Sequence, residues 1–248
     1  MRRIVSCYFD GPGAGDRWRR MVRVLEHTAA QHCPGWALSV TQLQATKRRL
    51  SESENHAANS QKLEHWFAAI DGAQEGDEVL LIDADTFIRR PLEPVWDLPF
   101  DVAYTVRPAG YPNPLNGGVV FLRVSAKTRH FMYWWQATNT LMRSDREVAD
   151  RYKRYVGMNQ RALASVLEDL ELAADDDRKP AVLALPCLEW NCEDSTWASF
   201  HPEITRIVHV KSQLQAAVFG RPNAPAKPHL KALARDWHAL EREANAGK

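Results

Sequence analysis

The chain has 248 residues, 45% of them hydrophobic, which suits one large α/β domain with a full core. Lys and Arg number 32 against 31 Asp and Glu, so the formal charge of +1 sets up no global field that would recruit nucleic acid or a membrane surface. The four cysteines form no CxxC pair, which argues against a structural zinc and for reduced thiols in a cytoplasmic protein.

The N-terminus, Met-Arg-Arg-Ile-Val-Ser-Cys-Tyr-Phe-Asp, has no signal-peptide apolar stretch. No segment approaches the roughly 20 apolar residues of a membrane span. Ile4 to Phe9 reads as a first strand. It runs into Asp10-Gly-Pro-Gly-Ala-Gly15, a flexible turn placed where doubly wound sheets meet a nucleotide. The glycines lack the GxGxxG spacing, so no dinucleotide site follows from them. Asp16 is a candidate cap for a helix with Trp18, Met21, Val22, Leu25 and Ala29 on one stripe. Its arginines read as a solvated face. Trp36 to Leu43 alternates as a second strand. Gln44 to Ser60, with Lys47-Arg48-Arg49, is polar and aperiodic and reads as a loop. Lys62 to Ile70 is helical, with Leu63, Trp66, Phe67 and Ile70 at helical spacing, and Gly72 and Gly76 end it.

Val79-Leu80-Leu81-Ile82 is too short for a helix and reads as a strand buried on both faces, as in a parallel sheet. It ends in Asp83-Ala84-Asp85. In an extended chain residues two apart point the same way, so the two carboxylates face one side. Side by side at a buried strand end they repel, and burying them costs several kcal/mol unless a cation or donors compensate. A hard divalent cation, Mg2+ or Mn2+, is the natural partner. The plainer alternative is a solvated strand-end turn. Glu78-Val-Leu-Leu-Ile-Asp-Ala-Asp-Thr86, followed by Arg90-Pro-Leu92, resembles the Asp-x-Asp segment of GT-A-fold glycosyltransferases, and most of all the glycogenin and lipopolysaccharide-galactosyltransferase group. The resemblance implies that Asp83 and Asp85 hold a metal against the diphosphate of a nucleotide sugar. It also makes Lys62, on the preceding helix, a basic residue near the nucleotide.

Asp101 to Val106 is the next strand, and a Pro-rich loop leads to Asn116-Gly-Gly-Val-Val-Phe-Leu-Arg123. A Gly-Gly pair entering a strand marks a tight backbone or close approach by a ligand. By resemblance, Asn116 would hydrogen-bond the donor sugar and Gly117 and Gly118 would leave room for it. Ala126 to Met142 is a helix with Phe131, Trp134, Trp135 and Leu141 as core. Arg143 to Arg154 is basic; it is a solvated helix face or a guide for an anionic acceptor. The helix beginning near Met158 carries Leu163, Val166 and Leu167 on its apolar side. Asn159-Gln160 resembles the family's Asp-Gln helix start, which puts Gln160 near the reacting sugar carbon. Asn159 departs from that pattern, cannot act as a carboxylate, and reads equally as an N-cap.

Asp175 to Pro180 reads as a solvated loop, and Ala181 to Leu185 as a strand. Pro186 to Trp197 is irregular and dense in functional side chains; it resembles the family's Leu-Pro…Trp/Tyr-Asn stretch. Glu193 and Asp194 are its candidates for a general base, or else loop charges in water. In Ile207-Val-His-Val-Lys211, His209 is a core histidine or, by resemblance, the third metal ligand. Lys211 would then meet the departing diphosphate. Pro222 to Pro228 is a Pro/Ala linker, and Lys231 to Glu243 a helix with Leu230, Leu233, Trp237 and Leu240 on one stripe.

The fragments of resemblance span Ile4 to Lys211, and their shared order is the main argument. The expectation is an α/β, Rossmann-like, mostly parallel central sheet of GT-A type with flanking helices, residues 1–220, followed by a linker and amphipathic helix, 221–248. The expected activity is transfer of a sugar from a nucleotide diphosphate sugar, UDP-linked, to an acceptor hydroxyl, using Mn2+ or Mg2+. A retaining outcome is favoured through Gln160, and an inverting one if Glu193 or Asp194 is the base. A nucleotidyltransferase, a sugar-nucleotide hydrolase and a non-catalytic binding domain are the alternatives. The acceptor stays open among glycan, lipid-linked sugar, protein, small molecule and hydroxylated DNA base.

Overall fold

A computed structural model describes residues 1–9, 16–44, 54–172, 179–220 and 227–247. The expected glycine turn, the Lys47-Arg48-Arg49 stretch, and most of the Asp175 loop and of the Pro/Ala linker lie outside the described residues. Strands β1 (Arg2–Phe9), β2 (Ala37–Leu43), β3 (Glu78–Asp83), β5 (Val102–Val106), β6 (Leu115–Arg123) and β7 (Val182–Pro186) form one sheet in the order β2-β1-β3-β6-β5-β7. Within it β6 pairs antiparallel with both β3 and β5, and the other pairings are parallel. The short strands β4 (Thr86–Ile88) and β8 (Ile207–His209) make a separate antiparallel pair.

The apolar run of β3 is buried on both faces, with Val79, Leu80, Leu81 and Ile82 at most 1% exposed. Val79 and Leu81 join a core under α2 (Glu54–Asp71), α3 (Ala126–Ser144) and α5 (Met158–Leu172), built on Trp66, Trp135 and Leu163. Leu80 and Ile82 face the opposite core, which α1 (Arg17–His32) closes with Leu25 and Ala29. Burying each such side chain contributes about 1.5–3 kcal/mol. That double burial fixes the level at which the strand's polar end emerges.

The helix expected from Lys62 begins at Glu54 instead. Its buried stripe opens on Ala57 and Ser60, both 0% exposed, residues too small to mark an apolar period. Asp16 stands at the N-cap position of α1, but its side chain makes no capping hydrogen bond; its carboxylate lies 3.2 Å from Arg23. In α3 Phe131 and Trp135 are buried, but Leu141 is 50% exposed, and Met142, one residue further round, takes the inward position. Leu230, Leu233 and Trp237 of α8 (Pro228–Ala246) pack with α1 and with α7 (Ser212–Phe219). Arg20 pairs with Glu241 across that contact, at 2.5 Å, so it is not part of a solvated face.

The N-terminus of α3 is held by a reciprocal cap. The Thr128 amide donates to Ser125 Oγ at 3.3 Å, and the Ser125 amide donates to Thr128 Oγ1 at 2.8 Å. Ser125→Ala is expected to cost about 1 kcal/mol, read as a lower urea midpoint with an unchanged slope. An unchanged midpoint would show that the cap carries no stability.

Candidate functional site

The end of β3 is a tight turn rather than a longer strand. Ala84, 2% exposed, is buried inside it, and Thr86 Oγ1 donates to the Asp83 carbonyl at 2.7 Å. Asp85 is followed at once by β4, whose Thr86 pairs with His209 of β8. The Val210 amide donates to the Asp85 carbonyl at 2.6 Å. This pairing carries His209, from far along the chain, to the two aspartates. His209 Nε2 lies 3.0 Å from Asp85 Oδ1 and 3.8 Å from Asp83 Oδ2. Asp83, Asp85 and His209 each present one ligand atom, all within 4.8 Å of one another, so the cluster can hold a metal ion. Burial would raise the Asp85 carboxyl, but the charge and hydrogen bond of His209 outweigh it and hold that carboxyl below the usual aspartate range.

Two neighbours shape this cluster. Lys62, 7% exposed, reaches Asp83 Oδ1 at 2.5 Å and lies over the Trp66 ring at 4.5 Å. The entry to β6 passes so close that a Cβ on Gly118 would sit 2.7 Å from Asp83 Oδ2 and 2.8 Å from His209 Cε1. The missing side chain therefore keeps the space beside the carboxylates. A hard divalent ion with carboxylate and imidazole ligands fits this donor set. Gly118→Ala is expected to destabilise the fold by about 1–3 kcal/mol through overpacking and to displace Asp83 or His209. The measurements are urea unfolding and Mn2+ titration; wild-type Mn2+ affinity in the variant would refute the tight approach.

Asn116, 4% exposed, accepts from the Gly118 amide at 3.0 Å through Oδ1. Its Nδ2 is buried without a partner among the described residues, leaving a donor for a ligand oxygen. Gln160 lies over Gly117: its Oε1 accepts from the Gly117 amide at 3.4 Å, and its Nε2 donates to the Val156 carbonyl. Asn159 is inside α5 rather than capping it; its side chain is buried, and its carbonyl accepts from Trp135 Nε1 at 2.7 Å.

Glu193 and Asp194 have different surroundings. Glu193 is 0% exposed, with Oε2 at 3.1 Å from Arg107 Nε and 2.8 Å from Lys211 Nζ. Burial would raise its carboxyl; the hydrogen bond with Asp194 and the two cations hold it far below the usual range. Asp194 is at the surface, 3.2 Å from Lys211, and burial plus the hydrogen bond with Glu193 push its carboxyl up. Arg107, not anticipated from sequence, also binds the carbonyls of Asn113 and Leu115, so it shapes the β5–β6 loop. Asn191, the Asn of the stretch that resembles the family's Leu-Pro…Trp/Tyr-Asn segment, lies 3.1 Å from His209 Nδ1. No local pattern marks Arg107, because its partner Glu193 lies on a distant segment, and the motif around Asn191 does not name His209 as its partner. In the basic stretch, Arg146 and Arg151 of α4 (Arg146–Arg151) pair with Asp150 and Glu147 one turn away, at 3.6 and 3.4 Å, which lowers the charge it offers an anionic acceptor. No described helix is long and apolar enough to cross a membrane.

No protein-family description and no curated protein matches the sequence. Solved structures do match the fold. A glycosyltransferase involved in glycosylation of the major capsid of PBCV-1 aligns with a TM-score of 0.58 at 14% identity, over 86% of this chain and 95% of its own. The galactosyltransferase LgtC, in complex with donor and acceptor sugar analogues, aligns with a TM-score of 0.52 at 14% identity, over 97% and 95% of the two chains. The glycosyltransferase GlyE of Streptococcus pneumoniae TIGR4 aligns with a TM-score of 0.56 at 15% identity, over 99% of this chain and 63% of its own. With the Asp-x-Asp pair at the end of β3 and the six-stranded sheet around it, the chain has the GT-A fold of these glycosyltransferases.

Proposed function

We propose that this protein is a metal-dependent glycosyltransferase that moves a sugar from a nucleoside diphosphate sugar, UDP-linked, to an acceptor hydroxyl. The observation that carries the reading is the convergence of Asp83, Asp85 and His209 beside the side-chain-free backbone of Gly118. The three side chains would hold Mn2+ or Mg2+, which when bound supplies positive charge against the leaving diphosphate. The similar galactosyltransferase, solved with donor and acceptor sugar analogues, supports a two-substrate reaction.

The chain's own residues have separable tasks in this reading. Lys62 balances Asp83 and can turn towards the nucleotide phosphates. Asn116 offers its unpartnered Nδ2 to a sugar hydroxyl. Gln160, held between Gly117 and Val156, lies beside the sugar for a retaining reaction. Lys211, held by Glu193 and Asp194, supplies a cation to the leaving group.

An inverting reaction is the second reading, and one observation favours Asp194 over Glu193 as its base. Asp194 is accessible with a raised pKa, as a proton acceptor needs, whereas Glu193 is enclosed and ion-paired. Proton NMR of the anomeric centre in the product separates the two outcomes.

Thermal melting with UDP, GDP, CDP and dTDP, with and without Mn2+, tests the donor site. A ligand at ~100 times its dissociation constant adds about 2.7 kcal/mol, a rise of roughly 5–10 °C for a chain of this size. A rise that needs Mn2+ and selects UDP is the expected result. No rise with any nucleotide would overturn the donor reading. Release of sugar phosphate or free sugar without an acceptor would instead indicate phosphorus chemistry or hydrolysis.

A further inference from the structure

A chain of buried hydrogen bonds leads from the metal cluster to the start of β6. His209 Nδ1 lies 3.1 Å from Asn191 Oδ1, Asn191 Nδ2 donates to Thr105 Oγ1 at 2.9 Å, and Thr105 Oγ1 donates to the Asn116 carbonyl at 2.8 Å. Asn191 and Thr105 are 0% exposed, and His209 and Asn116 4%. Water therefore does not relax the polarity of these bonds.

That polarity can be followed from one end. A backbone carbonyl only accepts, so the single Thr105 hydroxyl proton is committed to Asn116. Towards Asn191 the Thr105 oxygen can then only accept, so the amide must present its NH2 there. Its carbonyl oxygen is left facing His209, and His209 Nδ1 must carry a proton to donate. Cys187 is the other group hydrogen-bonded to Thr105. Burial pushes its thiol up to about 12, so it stays a neutral thiol, a weak acceptor that does not draw the hydroxyl proton away from the carbonyl. With Nδ1 committed to Asn191, Nε2 is the ring nitrogen turned to Asp85 and Asp83; with no metal it donates to the Asp85 carboxylate, and that proton is the one a metal ion would displace.

We infer that Asn191, with its amide orientation set by Thr105, is a positioning residue that fixes the tautomer and aim of His209 so that Nε2 is the metal-binding atom. The inference rests on the metal site of the proposed function. Its logic is that of outer-shell partners in metal sites generally, whose loss typically weakens metal affinity about 10–100-fold. Here the partner is an amide, which adds no charge to the site. A further residue is therefore needed to hold the amide the right way round, and Thr105 fills that role. The Thr105 position coincides with a register irregularity between Tyr104 and Thr105 in the β5–β6 pairing, which brings Thr105 opposite Asn116.

The test uses the full chain and three variants. Asn191→Leu removes the acceptor. Asn191→Asp keeps an acceptor for Nδ1 but loses the donor to Thr105. Thr105→Val, nearly the same shape, removes the hydroxyl that orients the amide. Two readouts are compared: Mn2+ affinity without nucleotide, by electron paramagnetic resonance of unbound Mn2+, and the protonation of His209 Nδ1 in metal-free protein, by two-bond 1H–15N correlation assigned with His209→Asn.

Wild type is expected to show a protonated Nδ1. Asn191→Leu should bind Mn2+ about 10–100-fold more weakly and lose the fixed Nδ1 proton. Asn191→Asp should retain both the Nδ1 proton and the affinity. Thr105→Val should give partial Nδ1 protonation and an intermediate affinity. An unprotonated Nδ1 in wild type, or a Thr105→Val ring and affinity identical to wild type, would overturn the inference. If Asn191→Leu fails to fold, the other two variants still decide it. If wild type binds no Mn2+, the metal reading fails by itself, while the tautomer spectra still test the polarity of the network.

Discussion

Asp85→Asn is expected to lower kcat/KM for sugar transfer by about a thousandfold, which is about 4 kcal/mol of transition-state stabilisation. The substitution preserves size and removes one charge from a cluster whose proposed task is to hold a cation against a leaving diphosphate. Asp85 is the better position to test than Asp83, because Asp83 also pairs with Lys62, and its loss would leave that buried ammonium alone. Asp85 faces His209. The paired measurements are initial rates over a Mn2+ titration and thermal melting with Mn2+ and UDP. Both the rate and the Mn2+-dependent part of the melting shift should fall, and the unliganded melting temperature should drop as well, because the ionised Asp85 carboxylate pairs with His209. A variant that keeps wild-type kcat/KM at saturating Mn2+ would remove Asp85 from the mechanism. A loss of rate with an intact nucleotide shift would place it in the chemical step instead of in donor binding.

Glu193→Gln is expected to be the most costly of these changes for stability, by about 3 kcal/mol. The amide retains an acceptor for Ser195 but leaves Arg107, 8% exposed, beside Lys211 with no carboxylate between them. The variant should also change the acid limb of stability. The folded-state pKa of Glu193 lies below its ordinary value of 4.5. Its contribution is therefore complete above that value and is lost as pH falls through it towards the lower folded-state value. Asp194, with its raised pKa, works in the opposite sense and weakens the fold slightly once ionised. Urea unfolding between pH 3 and pH 7 should give a smaller stability rise with pH in Glu193→Gln than in wild type. Parallel curves would mean that the Glu193 carboxylate is not charge-paired in solution.

The candidate site was legible where its chemistry is local. Asp83-Ala84-Asp85 after an apolar strand carries its own signal, since two carboxylates so close to a buried run require a compensating charge. An extended chain was expected to aim both the same way, whereas the chain turns at Ala84, and the carboxylates converge because β8 pairs with the residues just after the turn. His209 was identified through the order of resembling segments, and the β4–β8 pairing is what brings it within reach. Glu193 and Asp194 were indistinguishable as neighbours in sequence; burial separates them into an ion-paired anchor and an accessible carboxylate.

What the sequence by itself determined is the set of properties that repeat along a short stretch. The two-face burial of Val79 to Ile82, the stripe of Leu230, Leu233 and Trp237, and the close backbone at Gly117-Gly118 all follow from side-chain size and period. The tertiary structure alone decided which distant groups meet. Arg107 found Glu193 and Asn191 found both Thr105 and His209 through strand order and core packing. The extra turns of α2 were hidden because Ala57 and Ser60 are buried by their neighbours rather than by their own hydrophobicity. The physical reason is range. Periodicity reports how one segment divides between core and water, whereas a hydrogen bond between segments depends on how the sheet and its covering helices pack as a whole.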